Sequence, residues 1–344
     1  MHRLSYGSIS DVRVLVVDMI MGWNSNPLLP SHLKEGFSAL VGSDNVRVVG
    51  TNVDELEIET FRPELLLMFG SMACNAVDYF RIASAGRRVG SHIAIWLHDD
   101  PYEFDFSFRA VEIGDTIFTN DRWALEHYDH PRVFHLPLAA SPTFHYRELL
   151  PLAHRRYDLF FCGVAFKNRV QMIRELGYRL SRYSTLICGS EWPLDVFPSR
   201  NLRIPAKELP DYYASSRVVL NLGRDFDLAN ERYQLPASTP GPRTFEAAMA
   251  GAPQLYFVTS LEIVDYFEPG REILLFDQPA DVLDTLEAVR DDSGTLLQIA
   301  RAAQERAMRD HTYAERAKTI LQTCGLGRAA EARAVPASDG HPAA

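Results

Sequence analysis

The chain has 344 residues, of which 47% are hydrophobic, and it carries a formal net charge of −10. This is enough apolar material for the cores of two domains, and an acidic chain without a run of Lys or Arg is not expected to bind nucleic acid. No stretch reaches the roughly 20 apolar residues of a membrane span, and residues 1–11 lack the apolar core of a signal peptide, so we expect a cytoplasmic protein without a transmembrane segment.

The first half of the chain repeats short β-branched runs followed by amphipathic stretches, which is typical of a parallel α/β sheet. Near-continuous apolar runs predict buried parallel strands, and apolar residues at helical spacing predict the helices between them. The predicted strands are residues 12–18, 46–50, 65–70, 92–97 and 116–119, and the predicted helices are 33–40 and 75–85. Residues 134–145 break this periodicity, and we place the end of a first, Rossmann-like domain (1–150) just after them.

A second α/β series follows and predicts another Rossmann-like domain over residues 151–328. Its predicted strands are residues 157–162, 186–188, 218–222 and 254–258, and its predicted helices are 169–180, 245–250 and the segments from 281 onward. Residues 329–344 are rich in Ala, with Pro, Gly and charged residues and no period, and we expect them to form a disordered tail.

The most specific segment is residues 240–253. It predicts a short helix with Thr244 as its N-cap and Gly251 after its end. A carboxylate at a helix start can accept hydrogen bonds from the two hydroxyls of a ribose, which is the role we predict for Glu246, and the planar guanidinium of Arg243 can hold a diphosphate. The alternative is that Glu246 only favours the helix dipole and pairs with Arg243 on the surface.

Three motifs follow one another in the C-terminal half. They are Arg243-Thr-Phe-Glu-Ala-Ala-Met-Ala-Gly251, Tyr266-Phe-Glu-Pro-Gly-Arg-Glu-Ile273 and His311-Thr-Tyr-Ala-Glu-Arg316. In this order they resemble the CgeB-type (spore maturation protein) glycosyltransferases, which are related to the group 1 glycosyltransferases. His98-Asp-Asp-Pro101 and Leu136-Pro-Leu-Ala-Ala140 resemble the N-terminal half of the same proteins.

The resemblance implies a GT-B fold, in which two Rossmann-like domains face each other across a cleft and the C-terminal domain binds a nucleoside-diphosphate sugar. It also implies a transferase without a metal ion or other cofactor, acting on a hydroxyl-bearing acceptor such as a glycan, a spore or cell-surface component or a natural product. Glu246 falls on the second Glu of a Glu-x7-Glu motif, which contacts ribose, whereas the first position is Ser238 here. In such folds the terminal helix, here beginning near His311, braces the first domain.

The loop 163–169 leaves a predicted strand and opens a predicted helix. Its backbone N–H groups and the helix dipole favour a phosphate, and two of its side chains are cations. A plain strand-to-helix turn with two exposed cations is the alternative. The candidate donor-binding residues are Gly163, Lys167, Arg169, Arg243, Thr244 and Glu246.

Three polar residues close a strand of the first domain: His98, Asp99 and Asp100. Open α/β sheets bind ligands at this end of their strands. A transfer that inverts configuration needs a general base for the acceptor hydroxyl, and one of these residues is the candidate; in a retaining transfer they would only orient the acceptor. The alternative is a structural turn in which one Asp caps the next segment and the other pairs with an Arg.

The loop after the first strand contains the candidate acceptor-binding residues Gly22, Trp23 and Asn24. An indole face suits stacking on a sugar, and amide groups suit its hydroxyls. A surface loop with one half-buried Trp is the alternative.

Asp225 and Asp227 have the Asp-x-Asp spacing with which other glycosyltransferases hold a divalent metal, but we interpret them as solvated loop carboxylates. The four cysteines have no ligand spacing, so no metal site is predicted.

No Gly-x-Gly-x-x-Gly follows the first strand of either domain, which argues against a dinucleotide oxidoreductase. Two alternatives to sugar transfer remain: a non-transferring nucleotide-sugar epimerase or hydrolase, and a non-catalytic nucleotide-binding protein of the same fold.

Overall fold

The computed structural model describes residues 11–20, 27–291 and 293–326. Its N-terminal part is a six-stranded parallel sheet in the order β2-β1-β3-β4-β5-β6. The strands are β1 (Val14–Met19), β2 (Val46–Gly50), β3 (Leu65–Gly70), β4 (His92–Leu97), β5 (Thr116–Thr119) and β6 (Val133–His135). The central strands β1, β3 and β4 are almost entirely buried, as their near-continuous apolar runs predict.

Helices cover both faces of this first sheet. They are α1 (Leu29–Val41), α2 (Glu55–Phe61), α3 (Tyr79–Arg88), α4 (Phe104–Ser107), α5 (Arg109–Ile113) and α6 (Pro142–His145). The helix predicted from residue 75 begins at Tyr79, because the Asp78 carboxylate accepts a hydrogen bond from the Arg81 N–H and caps it there. Strand β6 was not predicted, since three residues at a sheet edge are too short to show a period.

The C-terminal part is a five-stranded parallel sheet in the order β11-β10-β9-β7-β8. The strands are β7 (Tyr157–Cys162), β8 (Thr185–Cys188), β9 (Ser216–Asn221), β10 (Gln254–Phe257) and β11 (Leu274–Phe276). The helices are α7 (Lys167–Leu176), α8 (Leu209–Ala214), α9 (Pro242–Met249), α10 (Pro279–Asp291), α11 (Ser293–Asp310) and α12 (Tyr313–Thr323). The two parallel sheets confirm the predicted α/β class, whereas the domain limits at residues 150 and 328 stay predictions.

Within the described ranges, no helix has the length and apolar character needed to cross a membrane.

The last helix of the described residues, α12, packs against α1 of the first domain. Gly36 of α1 permits this approach, since a Cβ there would lie 2.3 Å from the Tyr313 carbonyl oxygen. Arg316 of α12 donates hydrogen bonds to the carbonyls of Pro137 and Leu138, at 2.8 and 3.3 Å. The prediction that the terminal helix braces the first domain is confirmed.

Candidate functional site

Two glycines bring neighbouring loops together at the carboxyl ends of β7 and β8. The Gly163 N–H donates to the Cys188 carbonyl at 2.9 Å, and a Cβ on Gly189, whose φ is 143°, would lie 1.8 Å from the Gly163 carbonyl oxygen. A side chain at 189 would therefore collide with backbone. A Cβ on Gly163 itself would lie 3.0 Å from Arg169 Nη1 and 3.3 Å from Arg243 Nη1. Two guanidinium groups thus flank Gly163.

Arg169 lies in the first turn of α7 and is buried. Three backbone carbonyls accept hydrogen bonds of 2.9–3.1 Å from its guanidinium: those of Val164, Leu222 and Gly223. Burial lowers the pKa of Arg169 to about 9, and the nearby charges of Arg243 and Arg224 lower it too. The group is still a cation at neutral pH. Its charge is stabilised by these carbonyl dipoles, by the nearby Asp225 carboxylate and by the ring of Phe166, whose centroid lies 4.8 Å from the guanidinium carbon.

Helix α9 carries two further donor candidates and begins earlier than predicted. Its first residue is Pro242 and its N-cap residue is Gly241, so the prediction that Thr244 caps the helix is wrong. Proline fits the first helical position because its φ is already helical and it lacks an N–H. The buried Thr244 hydroxyl instead accepts a hydrogen bond of 2.9 Å from Asn221 Nδ2 and ties α9 to β9. A role for Thr244 in donor binding stays a prediction.

Arg243 and Glu246 lie one turn apart on α9. Arg243 Nε donates to the Tyr213 hydroxyl at 3.1 Å. Burial alone would lower the pKa of Arg243, but Tyr213, Cys162 and Glu246 raise it above its ordinary value. Glu246 is 7% exposed, and its Oε1 lies 3.8 Å from His145 Nε2. Since burial lowers the pKa of His145 to about 4, that imidazole is neutral at pH 7.

The N-terminus of α7 is already capped by a carboxylate of the chain. Asp225 Oδ2 accepts a hydrogen bond of 3.0 Å from the Asn168 N–H. Lys167 is exposed in the same turn, and Asp227 is exposed two residues after Asp225. Over the residues that the structure describes, no three His, Cys, Asp or Glu side chains are grouped so as to hold a metal ion. Asp225 is therefore a helix cap in this structure.

Asp100 is a buried structural residue beyond the end of β4. Its carboxylate accepts hydrogen bonds from three hydroxyls: those of Ser107 (2.8 Å), Thr119 (2.7 Å) and Tyr128. Burial raises the pKa of Asp100 to about 6, although the three hydrogen bonds favour its ionised form. Both carboxylate oxygens accept hydrogen bonds from residues that follow later in the chain, so Asp100 stabilises the turn after β4.

Asp99, in contrast, reaches across to the second domain. Its Oδ1 lies 2.8 Å from Nη2 of Arg224, which follows β9. The guanidinium carbon of Arg224 lies 3.6 Å from the centroid of the Tyr102 ring, which adds a cation–π contact. The Asp99 side chain is 18% exposed. Asp100 thus lies in a structural turn and Asp99 pairs with an Arg. Both observations agree with the alternative to a catalytic role for this cluster.

Glu103 is a buried carboxyl group that sequence reasoning missed. It is 1% exposed, and its Oε2 has no hydrogen-bond partner among the described residues. Burial and the neighbouring Asp99 raise its pKa to about 8, while Arg224 and a hydrogen bond with Ser71 act in the opposite direction. The signal that could have revealed it is its position, four residues after Asp99 and between two aromatic residues at the ligand-binding end of β4.

His98 completes the polar group at the carboxyl end of β4. His98 is buried, and its backbone N–H donates to the Gly70 carbonyl at 3.2 Å. Its imidazole ring stands edge-on to the Phe69 ring, with the centroids 5.9 Å apart. The strand therefore places His98 beside the turn of Asp99 and Asp100. The predicted acceptor residues lie outside the described residues: Gly22, Trp23 and Asn24.

Residues 223–241, here called the cleft loop, lie between β9 and α9 of the second domain and contact the first domain. The Tyr102 carbonyl accepts two backbone N–H groups of this loop, at 2.8 and 2.9 Å. Asp121, after β5, accepts the Ser238 N–H at 2.8 Å, and the Ser238 hydroxyl donates to Glu262 Oε2 at 2.8 Å. At the position of the first Glu of the Glu-x7-Glu motif, the chain therefore has a serine buried between two carboxylates.

Comparison with known sequences finds similarity to glycosyltransferases, mainly in the second domain. Residues 169–322 match the family model described as glycosyl transferase-like. Spore protein CgeB of Bacillus subtilis is 22% identical over 215 residues, which cover 58% of this chain and 65% of that protein. This chain thus corresponds to just under two thirds of the length of that relative.

Solved structures share the arrangement of both sheets. Anabaena HepE, in complex with UDP-glucose, aligns with a TM-score of 0.62 and 12% identity over 91% of this chain and 99% of that chain. AviGT4, a glycosyltransferase involved in avilamycin A biosynthesis, aligns with a TM-score of 0.60 and 15% identity over 92% and 99%. The chain therefore has the GT-B fold, with two Rossmann-like domains. The match of residues 169–322 to the glycosyl transferase-like family model and the similarity to Spore protein CgeB confirm the resemblance carried by the motifs.

Proposed function

We propose that this protein is a glycosyltransferase that moves a sugar from a nucleoside-diphosphate sugar to a hydroxyl-bearing acceptor without a metal ion. The observation that carries the proposal is the pair of guanidinium groups at Gly163, with the Glu246 carboxylate one helical turn from Arg243. The glycosyl transferase-like domain and the similarity to a UDP-glucose complex support the same activity.

In this proposal the second domain holds the donor. The diphosphate lies against Gly163, Arg169 and Arg243, with the exposed Lys167 at its edge, and the ribose hydroxyls donate to Glu246. Departure of the diphosphate develops negative charge on its oxygens as the bond to the sugar carbon breaks. Fixed guanidinium groups in a partly buried site stabilise that charge, which is the contribution that a metal ion makes elsewhere.

The first domain supplies the acceptor side. Asp99 is the better candidate base, because it is partly exposed, whereas the Asp100 carboxylate is taken up by three hydroxyls. In an inverting transfer Asp99 would accept the acceptor's proton as its oxygen attacks the sugar carbon and the diphosphate leaves. His98, Gly22, Trp23 and Asn24 are proposed to contact the acceptor. In a retaining transfer all of these groups would only orient it.

The acceptor class we propose is a glycan, a spore or cell-surface component or a natural product, modified in the cytoplasm. The relatives favour this range, since one is a spore protein and another takes part in avilamycin A biosynthesis. No cofactor is required by this chemistry, because the donor already carries its leaving group.

Calorimetric titration of the purified chain with UDP, GDP, TDP, ADP, NAD and NADP, with and without magnesium, tests the proposal. We expect saturable binding of one nucleoside diphosphate, independent of magnesium, together with a rise in melting temperature. Binding of NAD alone, or of none of these compounds, would contradict it. Interconversion of a nucleotide sugar without release of nucleoside diphosphate would instead indicate the epimerase alternative.

A further inference from the structure

Arg224 stands at the point where the two domains and the candidate donor site meet. It is the second residue of the cleft loop, its Nη2 pairs with Asp99 at 2.8 Å, and its guanidinium lies over Tyr102. Its Nε is buried and has no hydrogen-bond partner among the described residues. The side chain therefore has an unused donor, although it already forms an ion pair.

The backbone just before Arg224 is fixed to the diphosphate site. The carbonyls of Leu222 and Gly223 accept hydrogen bonds from Arg169, at 3.1 and 2.9 Å. Arg224 and Arg243 both act on Arg169 as like charges. Arg169 at the start of α7, Arg243 at the start of α9 and Arg224 in the cleft loop thus lie close enough for the other two to act on Arg169, and this repulsion between like charges favours an anion beside them.

We propose that Arg224 is a third diphosphate-binding residue, and that Asp99 is the counter-ion that Arg224 exchanges for the donor diphosphate. The proposal rests on the donor-binding function proposed above. A guanidinium has five N–H donors in a plane and can hold two phosphate oxygens at once, and the buried Nε supplies a donor that the Asp99 pair does not use.

The exchange links donor binding to the acceptor side. Without donor, Asp99 is held by Arg224 and competes with the diphosphate for it. With donor bound, the Asp99 carboxylate is released next to the acceptor. A purely structural contact between the domains would behave differently, because removing the carboxylate would then leave nucleotide affinity unchanged.

Titration of UDP, GDP, TDP and ADP, and of the corresponding nucleosides, into four proteins tests this proposal: the parent chain, Asp99→Asn, Arg224→Gln and the double variant. Asp99→Asn is expected to bind the preferred diphosphate roughly three- to fivefold more tightly, as the loss of one partly exposed competing ion pair allows. Arg224→Gln is expected to bind it at least tenfold more weakly, with nucleoside affinity unchanged. In the Arg224→Gln background, Asp99→Asn should have no effect.

Asp195→Asn is the matched control, because it makes the same change in net charge at a surface ion pair with Arg174. Its diphosphate affinity should equal that of the parent chain, and melting curves of all variants verify that each is folded. Unchanged or weaker binding by Asp99→Asn, or parental affinity in Arg224→Gln, would overturn the inference. Absence of diphosphate binding by the parent chain would instead reject the donor-binding function itself.

Discussion

Replacing Glu103 by Gln is expected to remove a loss of stability that develops as the pH rises from 4.5 to about 8. The pKa of Glu103 is raised from 4.5 to about 8, first by burial and then by Asp99. The folded protein therefore keeps this proton up to about pH 8, whereas the unfolded chain releases it near pH 4.5. The protonated Glu103 carboxyl group therefore makes its full contribution to the free energy of unfolding below pH 4.5. This contribution is lost as the pH rises to about 8.

The magnitude follows from the pKa difference. Each pKa unit corresponds to about 1.4 kcal/mol, so the loss is about 3 kcal/mol by pH 7 and about 5 kcal/mol once the pH passes 8. Glutamine has nearly the same shape and stays neutral. The free energy of unfolding of Glu103→Gln should therefore exceed that of the parent chain by an amount that grows from pH 5 to pH 9.

Denaturant unfolding of both proteins at pH 5, 7 and 9 provides the assay, with the exposed Glu208→Gln as the control that should show no such trend. Other shifted groups, such as the buried histidines, are present in both proteins and cancel in the difference. A difference that stays constant across the three pH values would refute the assignment of Glu103 as a buried, protonated carboxyl group.

Three further predictions concern the donor, the metal and the fold. Glu246→Ala should weaken nucleoside-diphosphate binding by about 1–3 kcal/mol, or roughly 5- to 150-fold, with an unchanged melting curve; equal affinity in calorimetry would reject the ribose contact. EDTA should leave turnover intact, and an activity lost to EDTA and restored by magnesium would point back to Asp225 and Asp227. Gly36→Ala should destabilise the protein by about 1–3 kcal/mol in denaturant unfolding, because its Cβ would collide with the Tyr313 carbonyl and displace α12; parental stability would mean that α12 docks differently.

The parallel sheets could be predicted because their central strands are near-continuous apolar runs, such as β3, in which neighbouring residues carry the signal. The short edge strands β6 and β11 have three residues each and no such signal. The start of α9 was misplaced because Thr244 has the chemistry of a cap, whereas Gly241 and Pro242 occupy the cap and first positions.

In the candidate site, too, contacts between residues close in the sequence could be predicted, whereas contacts between distant residues could not. Arg243 and Glu246 could be predicted as neighbours, because three residues along a helix place them on one face. The pair of Asp99 with Arg224 joins residues 125 positions apart, and the burial of Glu103 depends on how several loops pack. Neither spacing nor composition encodes those contacts, because they depend on how distant segments pack in the folded chain.

The most direct test of metal-independent sugar transfer is to measure nucleoside-diphosphate release from UDP-, GDP-, TDP- and ADP-sugars in the presence of EDTA. Each reaction would contain a panel of hydroxylated acceptors and either the parent chain or Arg243→Gln. We expect one class of nucleotide sugar to be consumed, with stoichiometric transfer of its sugar to an acceptor, and we expect Arg243→Gln to reduce this release strongly. Nucleotide sugars that stay unchanged under all conditions, or that become epimers without release of the diphosphate, would contradict it.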